Sequence, residues 1–289
     1  MVAFYRPDTL AEALALRASR DLVVLSGGTD VYPARAARAG WGDMEHKDVL
    51  DISALKDLKG IVEEEAYWRF GALATWTDLI EADLPAAFAG YQLAAREVGG
   101  VQIQNYGTLV GNICTASPAG DGAPNLLALE ALVELKSLGG RRRLQLAAFI
   151  DGYRHTACRR DEIVTAILVP KPVSGARGHF LKLGARKYLV ISIAMVAAVI
   201  ETDAAGHIAA CALAVGACSA IPQRLAALEA ALIGVPLAVA SRRIAPEHFQ
   251  ALSPIDDIRA SAAYRRAVAL ALTRDLLAGL AGAPAGRVA

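Results

Sequence analysis

Nowhere does the sequence approach the roughly eighteen uninterrupted apolar residues that a membrane-crossing helix needs, although 55% of its 289 residues are hydrophobic. Residues 190–200 are apolar but short, and their β-branched content suits a buried strand. The N-terminus, MVAFYRPDTLAEAL, has a proline and an acid where a signal peptide needs an apolar core, so cytoplasmic residence without membrane insertion is expected. Cysteine is scarce too. Cys114, Cys158, Cys211 and Cys218 form no CxxC, and the five histidines show no HxxxH or HExxH spacing. A metal or iron–sulfur cluster held by this chain alone is therefore not expected, and the cysteines read as isolated buried thiols. A net charge of +1 provides no global field for nucleic acid or an anionic membrane. The one basic run, Arg141-Arg142-Arg143, follows Gly139-Gly140 and reads as a solvated hairpin end.

What is present is a regular alternation of elements. Thr9 and Glu12 have capping-box spacing ahead of a helix with Leu10, Ala13, Leu14 and Ala18 in helical period. Residues 21–25 form a short apolar strand that runs into Ser26-Gly27-Gly28-Thr29-Asp30, then a helix over 31–40 and a strand at 49–52. Further strands are expected around Trp68–Gly71, Val133–Leu135 and Ile163–Val169, and short helices from Thr77, over 93–98 and over 124–129. Residues 104–113 read as a polar, glycine-rich stretch. Pro170, Pro172, Gly175 and Gly178 suggest a domain boundary. Beyond it, apolar runs at 193–201 and 209–217 flank a hairpin signal, and alanine-rich helices cover 224–232 and 262–280.

Two loops carry chemistry. Ser26-Gly27-Gly28-Thr29 ends a strand and has no Cβ at its glycines, so its backbone N–H groups can curl around a pyrophosphate; taken alone it reads better as a tight strand-to-helix turn. It is neither GxGxxG nor a Walker loop. Some eighty residues later, Gly107, Thr108, Gly111 and Asn112 can close on the same ligand. Asp121 reads either as an acceptor for sugar hydroxyls or as a helix cap. Two glycine loops in separate regions suit an extended dinucleotide bound across a cleft.

These motifs, Leu25 to Asp30 and Gly107 to Ile113 continuing through Ala116-Ser117-Pro118 to Asp121, resemble the two flavin motifs of the medium, FAD-binding subunits of xanthine dehydrogenase, carbon monoxide dehydrogenase and related molybdenum hydroxylases. Phe4 to Thr9 is similar to that family's opening, and Pro254 to Ser261 with Tyr264-Arg265-Arg266 to its C-terminal signature. The resemblance implies an α+β chain: a vanillyl-alcohol-oxidase-like, PCMH-type FAD-binding fold over 1–175 (subdomains 1–58 and 59–175) and a C-terminal α/β domain, an antiparallel sheet plus helices, over 176–289. It implies that Val23, Val24, Leu25, Ser26, Gly27, Gly28, Thr29 and Asp30 wrap the pyrophosphate with Gly107, Thr108, Val110, Gly111 and Asn112, joined by Thr115, and that Asp121 binds a ribose or ribityl hydroxyl.

By the same resemblance Val98 packs on the flavin ring, the backbone of Ile163 and Val164 approaches the isoalloxazine edge, and Lys182 nears the ring. Without it, Lys182 is an exposed strand lysine. The chain departs from the family at Val110, where a glycine is usual, and after Arg186, where Tyr188 stands in a stretch that often carries an aspartate; Tyr188 is then expected to shield the ring. The implied function is an electron relay. FAD here takes electrons from the [2Fe-2S] clusters of a small subunit, fed by a molybdenum-cofactor large subunit, and delivers them to an external acceptor. The alternatives are a free-standing FAD-dependent oxidase and a flavin-free scaffold.

Overall fold

The computed structural model describes residues 2–40 and 46–282. It opens with a small parallel sheet of β1 (Phe4–Tyr5), β2 (Val23–Leu25) and β3 (Val49–Asp51), linked by helices α1 (Leu10–Ser19) and α2 (Val31–Gly40). The last strand in sequence lies in the middle, in the order β1-β3-β2, so Val49 and Leu50 are buried on both sides. The Thr9 side chain caps α1 by accepting from the Glu12 N–H at 3.2 Å, as its spacing predicts.

The middle region contains β4 (Ile61–Glu63), β5 (Tyr67–Gly71), α3 (Trp76–Glu81), α4 (Ala89–Glu97), α5 (Val101–Tyr106), α6 (Leu109–Thr115) and α7 (Gly122–Ala128). There follow β6 (Leu132–Ser137), β7 (Gly140–Gln145), α8 (Leu146–Phe149), β8 (Ile150–Gly152), β9 (His155–Thr156) and β10 (Ile163–Pro170). An antiparallel sheet of order β4-β5-β10-β6-β7 puts β10 at its centre, buried from Ile163 to Val169. Two expectations need correcting here. Residues 104–113 are not a loop but fall in α5 and α6, broken only at Gly107-Thr108. Helix α3 starts one residue earlier than expected, because Thr75 and Asp78 form a capping box.

The arginine run does begin beside the β6–β7 hairpin turn, but it continues along β7 and pairs with carboxylates where a merely solvated end was expected. Glu134 on β6 is 1% exposed and sits within 3.0 Å of Arg69 and 3.5 Å of both Arg141 and Arg143, while accepting from the Thr165 hydroxyl at 2.9 Å. Burial raises the pKa of this carboxyl, but the Arg69 and Thr165 hydrogen bonds outweigh it and the net shift is downward. A depressed carboxylate pKa gives stability that is present above the unfolded value and lost as pH falls through the folded one. Glu134→Gln is expected to cost about 1–3 kcal/mol at neutral pH and to flatten the acid limb of a denaturation profile, whereas an unchanged acid limb would remove Glu134 from this account.

The C-terminal part is a meander of β11 (Arg177–Leu183), β12 (Ala194–Thr202), β13 (Ile208–Gly216) and β14 (Gln223–Arg224), with α9 (Ala226–Leu232), α10 (Leu237–Ala240) and α11 (Ala262–Leu280). Period-2 alternation along β12 divides its side chains. Val196, Ala198 and Ile200 enter a core with α9 to α11, and Met195 and Ala197 join Ala94 of α4 and Ala128 of α7. Gly90 lets α4 lie directly on β11, since a Cβ there would come within 2.7 Å of the His179 backbone. The C-terminal end of α4, where Glu97 and Val98 stand, is held to the same strand by Lys182, whose Nζ donates to the Glu97 carbonyl at 3.3 Å. Among the described residues no helix is long and apolar enough to cross a membrane.

Candidate functional site

Two cavities meet at the end of β2. The first, about 340 Å³, is lined by Val24 and the whole of Ser26 to Val31 on one side, and by Gly107, Thr108, Gly111, Asn112 and Thr115 on the other, with Trp76, Val98, Ile103 and Cys114 closing it. The second, about 330 Å³, shares Val24, Ser26, Gly111 and Cys114 with the first and continues past Val23, Val110, Cys158, Ile163 and Val164.

The two loops are joined by side chains that the sequence places far apart. Ser26 Oγ is 3.0 Å from Thr108 Oγ1, and the Thr115 hydroxyl is 2.9 Å from Asp30 Oδ2. Thr108 caps α6 by accepting from Gly111 N–H at 3.0 Å, so the second motif is a capped helix start rather than a glycine nest. Gly27 runs so close to it that a Cβ would lie 1.8 Å from the Tyr106 carbonyl oxygen. Gly28 has φ +74°, a left-handed conformation that favours glycine, and Tyr32 covers it. Among the described residues the N–H groups of Gly27, Gly28 and Thr29 meet no protein acceptor. Unpaired donors in a curled turn beside a cavity suit a phosphate.

Most of the residues picked out in the sequence gather at these cavities, but four do not. Leu25 is buried at 4% exposure and lines neither; it anchors the strand below the turn. Asp121 lines neither. Its Oδ2 accepts from Lys182 Nζ at 2.8 Å and its Oδ1 from the Ser192 hydroxyl at 2.6 Å, and it makes no side-chain cap on α7. The cap reading is thereby corrected, and Asp121 stands outside both cavities, closed on Lys182 and Ser192. Lys182 is neither an exposed lysine nor a free cation at a ring, being 4% exposed and paired with Asp121. It also donates to the Glu97 carbonyl at 3.3 Å and stands 3.8 Å from the Glu97 carboxylate. Tyr188 is 61% exposed, under the Lys187 ammonium and away from both cavities.

Ile163 and Val164 line the second cavity and Val98 the first. Val110 faces the second cavity and the core, so its side chain does not obstruct the glycine turn.

Sequence reasoning missed Trp76, Ile103 and Cys114 in the first cavity and Arg17, Cys158 and Glu162 in the second. The Thr75/Asp78 capping box was the available signal for Trp76. Cys114 is an exposed thiol at the cavity wall, not a buried one as expected, while burial pushes the half-buried Cys158 thiol up to about 11, so Cys158 is no ready nucleophile. Glu162 is held by Arg142 in a two-pronged pair at 2.6 and 2.8 Å.

Comparison with known proteins agrees with this geometry. Residues 1–172 match the family described as FAD binding domain in molybdopterin dehydrogenase, and residues 179–280 match the CO dehydrogenase flavoprotein C-terminal domain. The chain is 34% identical over 245 residues to the nicotinate dehydrogenase FAD-subunit of Eubacterium barkeri, covering 81% of this chain and 80% of that one. It is 30% identical over 277 residues to the nicotine 6-hydroxylase medium subunit of Paenarthrobacter nicotinovorans, covering 94% and 95%. A chain of reconstituted CO dehydrogenase from Oligotropha carboxidovorans superposes with a TM-score of 0.88 at 26% identity, over 96% of each chain. The mixed fold with antiparallel sheets, and the turn of unpaired N–H groups between two cavities, are thus those of an FAD-binding oxidoreductase subunit, and the chain belongs to the FAD-binding medium subunits of the molybdenum hydroxylase family.

Proposed function

We propose that this chain is the electron-relaying subunit of a heteromeric molybdenum hydroxylase. It takes electrons from the [2Fe-2S] clusters of a small partner subunit, which a molybdenum-cofactor large subunit reduces, and hands them to an external acceptor. The observation that carries this reading is the pair of similar cavities meeting at the Ser26–Thr29 turn. A ligand with two flat ends and a pyrophosphate waist has that shape. Gly27, Gly28 and Thr29 would hold the pyrophosphate by main-chain donors, Val98, Trp76 and Ile103 would pack on the flavin, and Ile163, Val164 and Cys158 would enclose the adenosine end.

When bound, FAD can take electrons singly from a cluster and release them in a pair. The chain's own part is to bind, orient and shield it. The first cavity suits that part better than substrate chemistry, since Asp30 is its sole lining carboxylate and already accepts from Thr115. The relatives' names, an FAD-subunit and a medium subunit, support assembly with other chains in a complex. Residues 1–175 and 176–289 are proposed as the two domains, and the cytoplasm as the location.

The test uses the purified chain and its reduced iron–sulfur partner. The chain is expected to hold about one FAD, and mixing with the chemically reduced partner should bleach the flavin within one turnover. Failure of the partner to reduce it, or rapid bleaching by substrate with the chain alone, would overturn the relay in favour of a free-standing oxidase. Absence of bound FAD would favour a scaffold.

A further inference from the structure

Between the flavin cavity and the C-terminal sheet lies a three-charge cluster. Lys182 Nζ from β11 is 2.8 Å from Asp121, in the loop before α7, and 3.8 Å from the Glu97 carboxylate at the end of α4. It is tied directly to the cavity wall. Val98, the next residue after Glu97, lines the cavity, and Lys182 also holds the Glu97 carbonyl. On the other side Asn112, another lining residue, accepts from Gly122 N–H beside Asp121 at 3.3 Å.

We infer that Glu97 is the proton-uptake residue of the bound flavin, binding a proton from solvent as the flavin is reduced and releasing it on reoxidation. The inference rests on the reading that the flavin lies against Val98. With Glu97 ionised, two carboxylates and one ammonium leave a net negative charge beside the cavity. Two electrons entering the flavin add more. Of the three groups only Glu97 can answer. Lys182 and Asp121 are closed on each other at 2.8 Å and Asp121 also on the Ser192 hydroxyl, which leaves Glu97 as the carboxylate of the cluster that faces water. The Glu97 side chain is 39% exposed, so protons reach it from water.

The charged groups facing it point the same way. Burial raises the Glu97 pKa, Lys182 lowers it, Asp121 raises it and Lys187 lowers it, and the net shift is upward. A carboxyl raised above its ordinary value gains a proton more easily when negative charge arrives nearby. The balance is two electrons and a proton to the flavin, the electrons coming from an iron–sulfur donor or an electrode, and a further proton from water to the Glu97 carboxylate. Reoxidation returns both protons and both electrons. Glu97 thus acts through charge, as a positioning residue for the proton.

The experiment is electrochemical reduction of the FAD-loaded protein from about pH 5 to about pH 8, across the range in which a raised glutamate titrates. Midpoint potential and reduced-minus-oxidised infrared spectra are recorded for the parent, Glu97→Gln and Glu97→Asp. The parent should show a carboxylic-acid C=O band on reduction and a steeper fall of potential with pH than Glu97→Gln, which lacks the band and takes up about one proton fewer per two electrons. Glu97→Asp should restore the band in part. A parent without the band, or a Glu97→Gln variant with the parent's slope, overturns the inference. The infrared measurement on the parent decides the matter even if Glu97→Gln folds poorly. A parent that holds no FAD would fail the flavin reading itself, a distinguishable result.

Discussion

Gly27→Val should yield a folded chain that copurifies with almost no FAD. The new Cβ would stand 1.8 Å from the Tyr106 carbonyl oxygen and 3.2 Å from Gly107 Cα, both backbone atoms that cannot turn aside. The loops must therefore separate, which breaks the Ser26–Thr108 contact and moves the unpaired N–H groups away from the phosphates. Two charge-assisted hydrogen bonds lost at about 1.5–3 kcal/mol each amount to a hundredfold or more in affinity. The fold itself should lose far less, because the turn lies at the surface of the small sheet and its anchors, Leu25 and Leu50, are untouched. Flavin absorbance per chain and thermal midpoint measure the two effects separately. Gly40→Ala is the control, since among the described residues nothing lies within 4 Å of a Cβ there. Full flavin content in Gly27→Val would place the pyrophosphate elsewhere.

That glycine turn was legible in the sequence because its constraint is local. A strand ending in Ser-Gly-Gly-Thr needs a left-handed residue and a close approach, and Gly28 and Gly27 meet those two needs at adjacent positions. The hairpin at Asp203–Gly206 and the Thr9 cap were legible for the same reason. The misread features depend on partners distant in sequence. Arg141 to Arg143 resemble a solvated turn until β7 pairs with β6 and sets Glu134 opposite Arg143. Residues 104–113 look like a loop because α5 buries none of its side chains, and its polar character carries no helical stripe. Asp121 and Lys182 are 61 residues apart, and nothing in either segment announces that they neutralise each other.

Their pairing changes what is expected of Lys182. As a free cation at the flavin, its loss would act mainly on the redox potential; as an exposed lysine, its loss would do nothing. The observed lysine is 4% exposed and its partner carboxylate 9% exposed, at 2.8 Å. Lys182→Met removes the ammonium but leaves Asp121 buried with only the Ser192 hydroxyl for support. Breaking one side of a buried pair in this way costs about 3–5 kcal/mol, because the remaining charge has lost its compensation. That is a large share of the roughly 5–15 kcal/mol that holds a domain together. The Glu97 carbonyl also loses a donor, so the end of α4 and with it Val98 should loosen, lowering FAD retention as well. The double variant Lys182→Met/Asp121→Asn removes both charges and should recover much of the loss, since an uncharged amide is far cheaper to bury than a lone carboxylate. Denaturant midpoints of the parent, both single variants and the double variant close the cycle. A coupling energy near zero, with Lys182→Met within about 0.5 kcal/mol of the parent, would mean that the pair does not form in solution. A large coupling, with the potential of the double variant near that of the parent, would show that Lys182 acts by balancing Asp121 and not by acting alone on the ring.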